Sequence, residues 1–190
     1  MKKEWSLILI NSENPLPKDF KIKTKRIFRN FEMDKRAACC AKKMLKKAKK
    51  DGVGIQVISS YRSRQYQQKL FEKDIKMYES MGMTYEKAYI QTKKYLAAPG
   101  ESEHNGGLAI DLSTEDSNKL TEDFENTKAF KWLEKNAHNF GFILRYQRGK
   151  EKITKINYEP WHYRFVGKKH AKKIKDSGLC LEEYVKLYNN

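Results

Sequence analysis

The segment GGLAIDL at residues 106–112 places one aspartate among residues that are typical of a buried strand. Alternate side chains of a strand point to opposite faces, so Leu108, Ile110 and Leu112 are predicted to face the core. Asp111 shares the other face with residues that have almost no side chain, which leaves a space of ligand size beside its carboxylate. This pattern constrains the fold more than any other in the chain, because one face must pack on the core while the other accommodates a ligand.

The loop before this strand carries His104, which six residues separate from Asp111. One interpretation is half of a metal site, since imidazole and carboxylate groups are both ligands of zinc. The alternative is an exposed histidine followed by an aspartate that forms hydrogen bonds within a turn. These two residues at this spacing do not decide between the interpretations.

A second segment, EPWHYRFVG at residues 159–167, supplies another histidine and a glutamate. In an ideal strand Glu159 and His162 would point to opposite faces, so a shared site requires Glu159 to lie in a turn or a bulge, and Pro160 is compatible with either. Two histidines and an aspartate form the three-ligand set of a catalytic zinc site, which keeps one position for water. Glu159 would then be the base that takes a proton from that water. The alternative is an exposed glutamate in a turn and a half-buried histidine on a strand.

A third segment, SSYRSRQYQ at residues 59–67, places Arg62 between a predicted buried strand and a helix. Loops in such positions commonly carry functional residues. A planar, permanently charged guanidinium suits the polarisation of a carbonyl or the binding of a carboxylate. An ordinary surface arginine is the alternative interpretation.

The rest of the chain predicts helices and strands in irregular order. Helical spacing of apolar residues and capping residues predict helices over residues 34–51, 63–79, 84–97, 126–141, 167–175 and 181–188. Strands are predicted over residues 5–10, 53–59, 106–112, 142–146 and 161–166, the last two as antiparallel neighbours. This irregular order predicts an α+β fold. Since neither a repeat nor a Pro/Gly-rich linker interrupts the pattern, residues 1–190 are expected to form a single domain.

The net charge of +16 makes an anionic partner the first candidate. The lysines are spread along predicted helix faces and accompany no nucleic-acid-binding motif, and lysine is poorer than arginine at reading bases through paired hydrogen bonds. A solvated basic surface is the preferred interpretation, and attraction to an anionic polymer such as cell wall is the second. Specific nucleic-acid binding is not expected.

The N-terminal MKKEWSLILIN combines lysines with a short apolar run, as a signal peptide does. Its apolar part is shorter than the roughly 7–15 residues of a signal-peptide core, and no small-residue cleavage site follows. No apolar run approaches the roughly 20 residues of a membrane-spanning helix. We expect a cytoplasmic protein without a transmembrane segment. If the chain is part of a longer exported protein, an extracellular or cell-wall location is the alternative.

The three segments together resemble one known family. The pattern SxHxxGxAxD is matched by Ser102, His104, Gly107, Ala109 and Asp111, the pattern ExWHxR by Glu159, Trp161, His162 and Arg164, and the pattern SxYRS by Ser59, Tyr61, Arg62 and Ser63. These motifs are similar to those of the VanY-type zinc D,D-carboxypeptidases and the related D-Ala-D-Ala dipeptidases of vancomycin resistance. The resemblance extends to GFILRY and to the N-terminal LILINSENPLP, and so covers nearly the whole chain.

The resemblance implies a fold and a set of roles. The fold would be α+β and similar to that of the D,D-peptidases and Hedgehog domains, with a small antiparallel sheet that carries the metal and helices packed around it. Zn²⁺ would be held by His104, Asp111 and His162. Glu159 would be the general base and later the acid that protonates the leaving amine, and Arg62 would polarise the scissile carbonyl.

The resemblance also implies that Ser102, Gln67 and Arg164 bind substrate, although Arg164 could instead orient a neighbouring group. The implied activity is hydrolysis of the terminal D-Ala-D-Ala bond of peptidoglycan precursors, with the free dipeptide as a further candidate substrate. An L,D-carboxypeptidase or a peptidoglycan endopeptidase is the alternative. A catalytically inactive wall-binding module is disfavoured, because a binding site has no use for the base Glu159. The oligomeric state is not readable from the sequence.

Overall fold

Six strands and seven helices make up the computed structural model, which describes residues 4–188. The strands are β1 (Thr24–Phe28), β2 (Phe31–Asp34), β3 (Ile55–Ser59), β4 (Ala109–Thr114), β5 (Phe142–Tyr146) and β6 (Glu159–Phe165). The helices are α1 (Lys35–Lys50), α2 (Arg64–Ser80), α3 (Tyr85–Thr92), α4 (Lys128–Asn136), α5 (Glu151–Thr154), α6 (Lys168–Ser177) and α7 (Leu181–Tyr188). Short 3₁₀ helices lie at Trp5–Leu7, Glu122–Asn126 and Ala137–Phe140.

The central sheet is antiparallel and has the strand order β3-β4-β6-β5, while β1 and β2 form a separate hairpin. Its register pairs Asp111 on β4 directly with His162 on β6, so the two side chains share one face. Next to this pair, Ile110 and Tyr163 share the opposite face and join the main hydrophobic core with residues of α1 and α4. The predicted α+β fold with a small antiparallel sheet is thereby confirmed.

An irregularity in β6 places Glu159. Leu144 pairs with Tyr163 and Tyr146 pairs with Glu159, so the single residue between them on β5 stands opposite three residues of β6. This interruption of the alternation allows Glu159 and His162 to face one site although they are three positions apart. Of the two arrangements predicted for a shared site, a turn or a bulge, the structure has the bulge.

The loop that carries His104 approaches β2 closely at Gly107. Gly107 has a φ of +65°, and a Cβ atom there would lie 2.9 Å from the backbone nitrogen of Asp34. That nitrogen donates a hydrogen bond of 2.9 Å to the Gly107 carbonyl. Both the left-handed conformation and the lack of space require glycine. The side chain of Asp34 in turn accepts from the Arg36 amide and caps α1.

Most predicted elements are confirmed, with boundaries that differ by a few residues. The helix predicted over 84–97 is shorter, because α3 ends at Thr92 and turns follow. The strand predicted over 5–10 is wrong: its first residues form the 3₁₀ helix Trp5–Leu7. Trp5 stacks on Phe165, with 5.7 Å between the ring centroids, so tertiary packing holds this segment instead of strand pairing. The β1–β2 hairpin was not predicted.

Among residues 4–188, no helix has both the length and the apolar character that crossing a bilayer requires.

Candidate metal centre and active site

Three buried side chains converge on the open face of the central sheet. Ligand atoms of His104, Asp111 and His162 all lie within 4.8 Å of one another. The three residues are 2%, 2% and 5% exposed. His104 lies in the loop before β4, Asp111 on β4 and His162 on β6. The register of the sheet brings Asp111 and His162 together, because it pairs them directly.

A backbone contact orients the first histidine. The Nδ1 atom of His104 lies 2.7 Å from the carbonyl oxygen of Ser60, which can only accept a hydrogen bond. The proton of the ring therefore belongs on Nδ1, and the lone pair of Nε2 faces Asp111. Asn105 holds the same loop, since its Nδ2 atom donates to the Arg62 carbonyl over 2.8 Å.

Two ligand atoms in this group lack an aligned hydrogen-bond partner among the described residues: Nε2 of His104 and Oδ1 of Asp111. Both have close neighbours, because Nε2 of His104 lies 3.1 Å from Oδ2 of Asp111 and Nδ1 of His162 lies 3.1 Å from Oδ1 of Asp111. Neither contact, however, has the geometry of a hydrogen bond. Buried polar atoms seldom stay unsatisfied. A cation bound between these atoms satisfies them, and two imidazoles with one carboxylate are a donor set of catalytic zinc.

The charges of the three side chains are strongly coupled. Burial lowers the pKa of His104 to about 4, and the Arg62 guanidinium acts in the same direction. Burial also acts against the charged form of His162, but its contacts with the Asp111 and Glu103 carboxylates raise its pKa to about 9. Burial would raise the pKa of Asp111, yet the two histidines hold it well below the usual value. Asp111 is therefore an anionic candidate ligand at neutral pH.

Glu159 lies beside the ligand group without belonging to it. Its Oε2 atom is 3.5 Å from Nδ1 of His162, and the residue is 4% exposed. Burial raises the pKa of Glu159 to about 8, and the negative charge of Asp111 contributes to this rise. A carboxylate whose pKa lies near neutrality is suited to accept a proton and to return it.

Arg62 faces the group from the loop between β3 and α2, and three contacts hold its guanidinium. Its Nη2 donates to Oδ2 of Asp111 over 2.8 Å and its Nη1 to Oε1 of Gln67 over 3.1 Å. Its Nε donates to Oγ of Ser59 over 2.9 Å. A guanidinium has five N–H donors, so donors remain for a ligand in front of the metal group.

A cavity of about 430 Å³ gives access to these residues. Its lining includes Arg62, Ser102, Glu159 and the three converging side chains. A second cavity of about 210 Å³ adjoins it, since Ala97, Tyr146 and Ile156 line both. The larger volume lies in the range of small-molecule sites, and the smaller one extends it.

The structure places the predicted substrate-binding residues in three different settings. Ser102 lines the larger cavity, and its Oγ accepts a bond of 3.3 Å from the His104 amide. Gln67 is fully buried, with its Oε1 on Arg62 and its Nε2 donating to the Ala97 carbonyl over 2.7 Å. Its amide has no free face for a substrate, so Gln67 orients Arg62 instead.

Arg164 also departs from the predicted contact with substrate. It is fully buried, and its Nη2 donates to the carbonyls of Ser6 and Ile8 while its Nη1 contacts Glu103 over 2.6 Å. These partners lie inside the protein and not at the cavity. The other role considered for Arg164, the orientation of a neighbouring group, agrees with this geometry.

Two residues of this region were not predicted. Glu103 is fully buried behind His162, and the ring of Tyr146 lies 4.8 Å from the His162 ring, between centroids. Glu103 occupies an unspecified position of the pattern SxHxxGxAxD, and Tyr146 is the last residue of GFILRY. The signal available for Glu103 was an acidic side chain directly before the candidate ligand His104.

The chain is similar to known proteins over nearly its whole length. Residues 30–168 match the family model VanY, described as D-alanyl-D-alanine carboxypeptidase. A D-alanyl-D-alanine carboxypeptidase of Enterococcus faecalis is 36% identical over 184 residues, which are 97% of this chain and 67% of that protein. The chain spans between 45% and 67% of the length of the curated relatives that it matches.

Two solved structures are similar to the fold described above. One is the vancomycin-resistance D,D-pentapeptidase VanY from a VanB-type cassette in complex with Zn(II), with a TM-score of 0.86 and 36% identity over 96% of this chain and 99% of that one. The other is VanYB in complex with D-alanine-D-alanine, with a TM-score of 0.87 and 37% identity over 96% of this chain and 98% of that one.

Proposed function

Because the chain belongs to the VanY family of D-alanyl-D-alanine carboxypeptidases, we propose that it is a zinc-dependent D,D-carboxypeptidase that removes the terminal D-Ala of peptidoglycan precursor peptides. One observation carries this proposal. His104, Asp111 and His162 converge beside a buried glutamate and an arginine, at the end of a cavity that can admit a peptide terminus. A similar structure that contains Zn(II) and another that contains D-alanine-D-alanine support it.

The zinc ion would be held by Nε2 of His104, by the Asp111 carboxylate and by Nδ1 of His162. The unsatisfied atoms at this point and the composition of the donor set fit that ion. When bound, zinc lowers the pKa of a coordinated water toward neutrality and acts as a Lewis acid on the substrate carbonyl.

The residues around the ion supply the proton transfers and the orientation. Glu159 accepts the proton of the attacking water and then donates it to the amine of the leaving D-Ala. Its position beside His162 and its raised pKa suit both steps. Arg62 uses its remaining N–H donors to polarise the scissile carbonyl, and Gln67 and Ser59 hold the guanidinium in place for this contact.

Release of D-Ala tests the proposed activity. We would incubate the zinc-loaded protein separately with D-Ala-D-Ala, with a muramyl pentapeptide ending in D-Ala-D-Ala and with the corresponding tetrapeptide, each with and without chelator. The expected result is release from the pentapeptide that the chelator abolishes and that added zinc restores. Release from the tetrapeptide alone would instead indicate an L,D-carboxypeptidase, and no release from any of them by the zinc-loaded protein would contradict the proposal.

The adjoining cavity supports a substrate longer than the dipeptide. Its lining includes the basic residues Lys93, Lys94 and Lys155, of which Lys94 and Lys155 are exposed. The peptide stem of a peptidoglycan precursor carries carboxylates upstream of its terminal D-Ala pair. We propose that these lysines attract the stem, so that the pentapeptide binds across both cavities while D-Ala-D-Ala occupies the larger one.

Charge reversal at two of these lysines is expected to affect the pentapeptide and the free dipeptide differently. The double variant K94E/K155E is expected to raise KM for the pentapeptide by about 2- to 30-fold, because each of the two exposed ion pairs contributes roughly 0.2–1 kcal/mol. For both substrates kcat should not change, and KM for D-Ala-D-Ala should not change either. The matched control is K46E/K49E on α1, which contributes no residue to the lining of either cavity. Equal effects of the two double variants, or equal effects on both substrates, would contradict this use of the cavity.

A further inference from the structure

Behind the metal group, a buried carboxylate contacts one of the candidate ligands. Oε2 of Glu103 lies 3.4 Å from Nε2 of His162, on the side of the ring that faces away from Asp111. The side chains of Glu103 and His162 are 0% and 6% exposed. A carboxylate at this place can accept the ring proton of the histidine.

Two arginines hold this carboxylate by its other oxygen. Nε of Arg145 donates to Oε1 of Glu103 over 2.7 Å, and Nη1 of Arg164 donates to the same oxygen over 2.6 Å. Both arginines are fully buried. Because both bind Oε1, the second oxygen of Glu103 remains available to His162.

The charges of this cluster balance. Arg145 also donates to Glu182 of α7, with 2.9 Å between Nη1 and Oε2. Two arginines thus meet two carboxylates in the interior, an arrangement in which each buried charge has an opposite partner. Paired with both arginines over 2.7 and 2.6 Å, the Glu103 carboxylate is a fixed anion next to the ring.

From these contacts we propose that Glu103 is a positioning residue for His162: it accepts the proton on Nε2, and Arg145 and Arg164 hold it in the position to do so. The ring is thereby kept in the tautomer whose Nδ1 lone pair points to Asp111 and to the metal. Partners of this kind orient a ligand and increase its basicity. The inference rests on the proposed zinc site, since a ligand is positioned only if it binds the metal.

The rival explanation is that Glu103 merely neutralises two buried arginines. Both explanations predict that the loss of the carboxylate lowers the stability of the metal-free protein, because unpaired buried charges are costly. Only the positioning role predicts a defined tautomer of His162 and a separate effect on the affinity for zinc. The two explanations are therefore distinguished by the tautomer of His162 and by the affinity for zinc, measured together with the stability of the fold.

The first measurement uses the unaltered protein. Long-range ¹H–¹⁵N correlation spectra of the zinc-loaded protein distinguish a protonated, a metal-bound and a free ring nitrogen. We expect His162 to show a proton on Nε2 and metal on Nδ1. A proton on Nδ1 or metal on Nε2 would overturn the proposal, and this result requires no variant to fold.

The second measurement compares the zinc Kd of E103Q and E103D with that of the unaltered protein, by competition with a chromophoric chelator. Loss of an outer partner of a metal ligand typically costs about 10–100-fold in affinity, and we expect E103Q to lie in this range. E103D keeps the charge beside the arginines but is one carbon shorter, so that it cannot contact them and His162 at once. We expect it to fold and to bind zinc more weakly.

The matched control is E101Q, which removes the same charge two positions away. Glu101 pairs with Lys93 over 2.9 Å and does not contact the ligands, so its zinc Kd should equal that of the unaltered protein. The visible spectrum of the cobalt-substituted protein should change for the Glu103 variants and not for E101Q. A folded E103Q or E103D with a zinc Kd within about twofold of normal and an unchanged cobalt spectrum would overturn the positioning role. Failure of the unaltered protein to bind zinc would instead refute the proposed function.

Discussion

Replacement of Glu159 by alanine is expected to lower kcat for the release of D-Ala by about 10²–10⁴-fold, the range that general acid–base catalysis contributes. The variant should still bind zinc, because Glu159 lies outside the group of converging ligand atoms. The reason for the loss of rate is that the water loses its proton acceptor and the leaving amine its proton donor. Measurement of kcat together with the zinc content of the same sample separates the two properties.

The control for this substitution is E86Q, which removes an exposed carboxylate at the start of α3. It should have normal turnover and normal zinc content. A Glu159→Ala protein with near-normal kcat would end the assignment of Glu159 as the base. A Glu159→Ala protein that has lost its zinc would show instead that the carboxylate holds the metal.

Replacement of His162 by alanine should remove both zinc binding and turnover. His162 is one of the three proposed ligands, and only two protein ligands would remain without it. The loss in zinc affinity should exceed the roughly 100-fold that marks the loss of an outer partner. Zinc content after dialysis and the release of D-Ala from the pentapeptide are the two measurements.

His138 provides a matched control, since it is partly exposed in the 3₁₀ helix Ala137–Phe140 and lies outside the ligand group. H138A should bind one zinc ion and release D-Ala at the normal rate. If H162A binds zinc as tightly as H138A does, the metal is not held where the three side chains converge.

The order of severity among these variants depends on distance from the metal. H162A removes a proposed ligand, E103Q removes the group behind that ligand, and E159A removes a neighbour that is proposed not to bind the metal. Zinc affinity should therefore fall most for H162A, less for E103Q and least for E159A, whereas turnover should fall strongly for H162A and E159A. This pattern would not arise if the three variants acted through general loss of stability.

The sequence by itself determined most of the local elements and the candidate ligands. Helical periodicity and capping residues define α1, and alternation in GGLAIDL predicts which face of β4 carries Asp111. For a shared site, the spacing of Glu159 and His162 required a turn or a bulge, and β6 contains a bulge. These features are readable because backbone conformation and side-chain direction depend mainly on neighbours within a few positions in the chain.

Only the tertiary structure decided the surroundings of the ligands. Gln67 orients Arg62, Arg164 joins Glu103 to the N-terminal segment, and that segment is held by packing and not by strand pairing. The partners in such contacts are far apart in the chain: Arg145 and Glu182 are separated by 37 positions, and Arg164 and Ser6 by 158. Whether a charged residue contacts a substrate or a buried partner depends on which elements pack beside it. A local sequence pattern does not predict that packing.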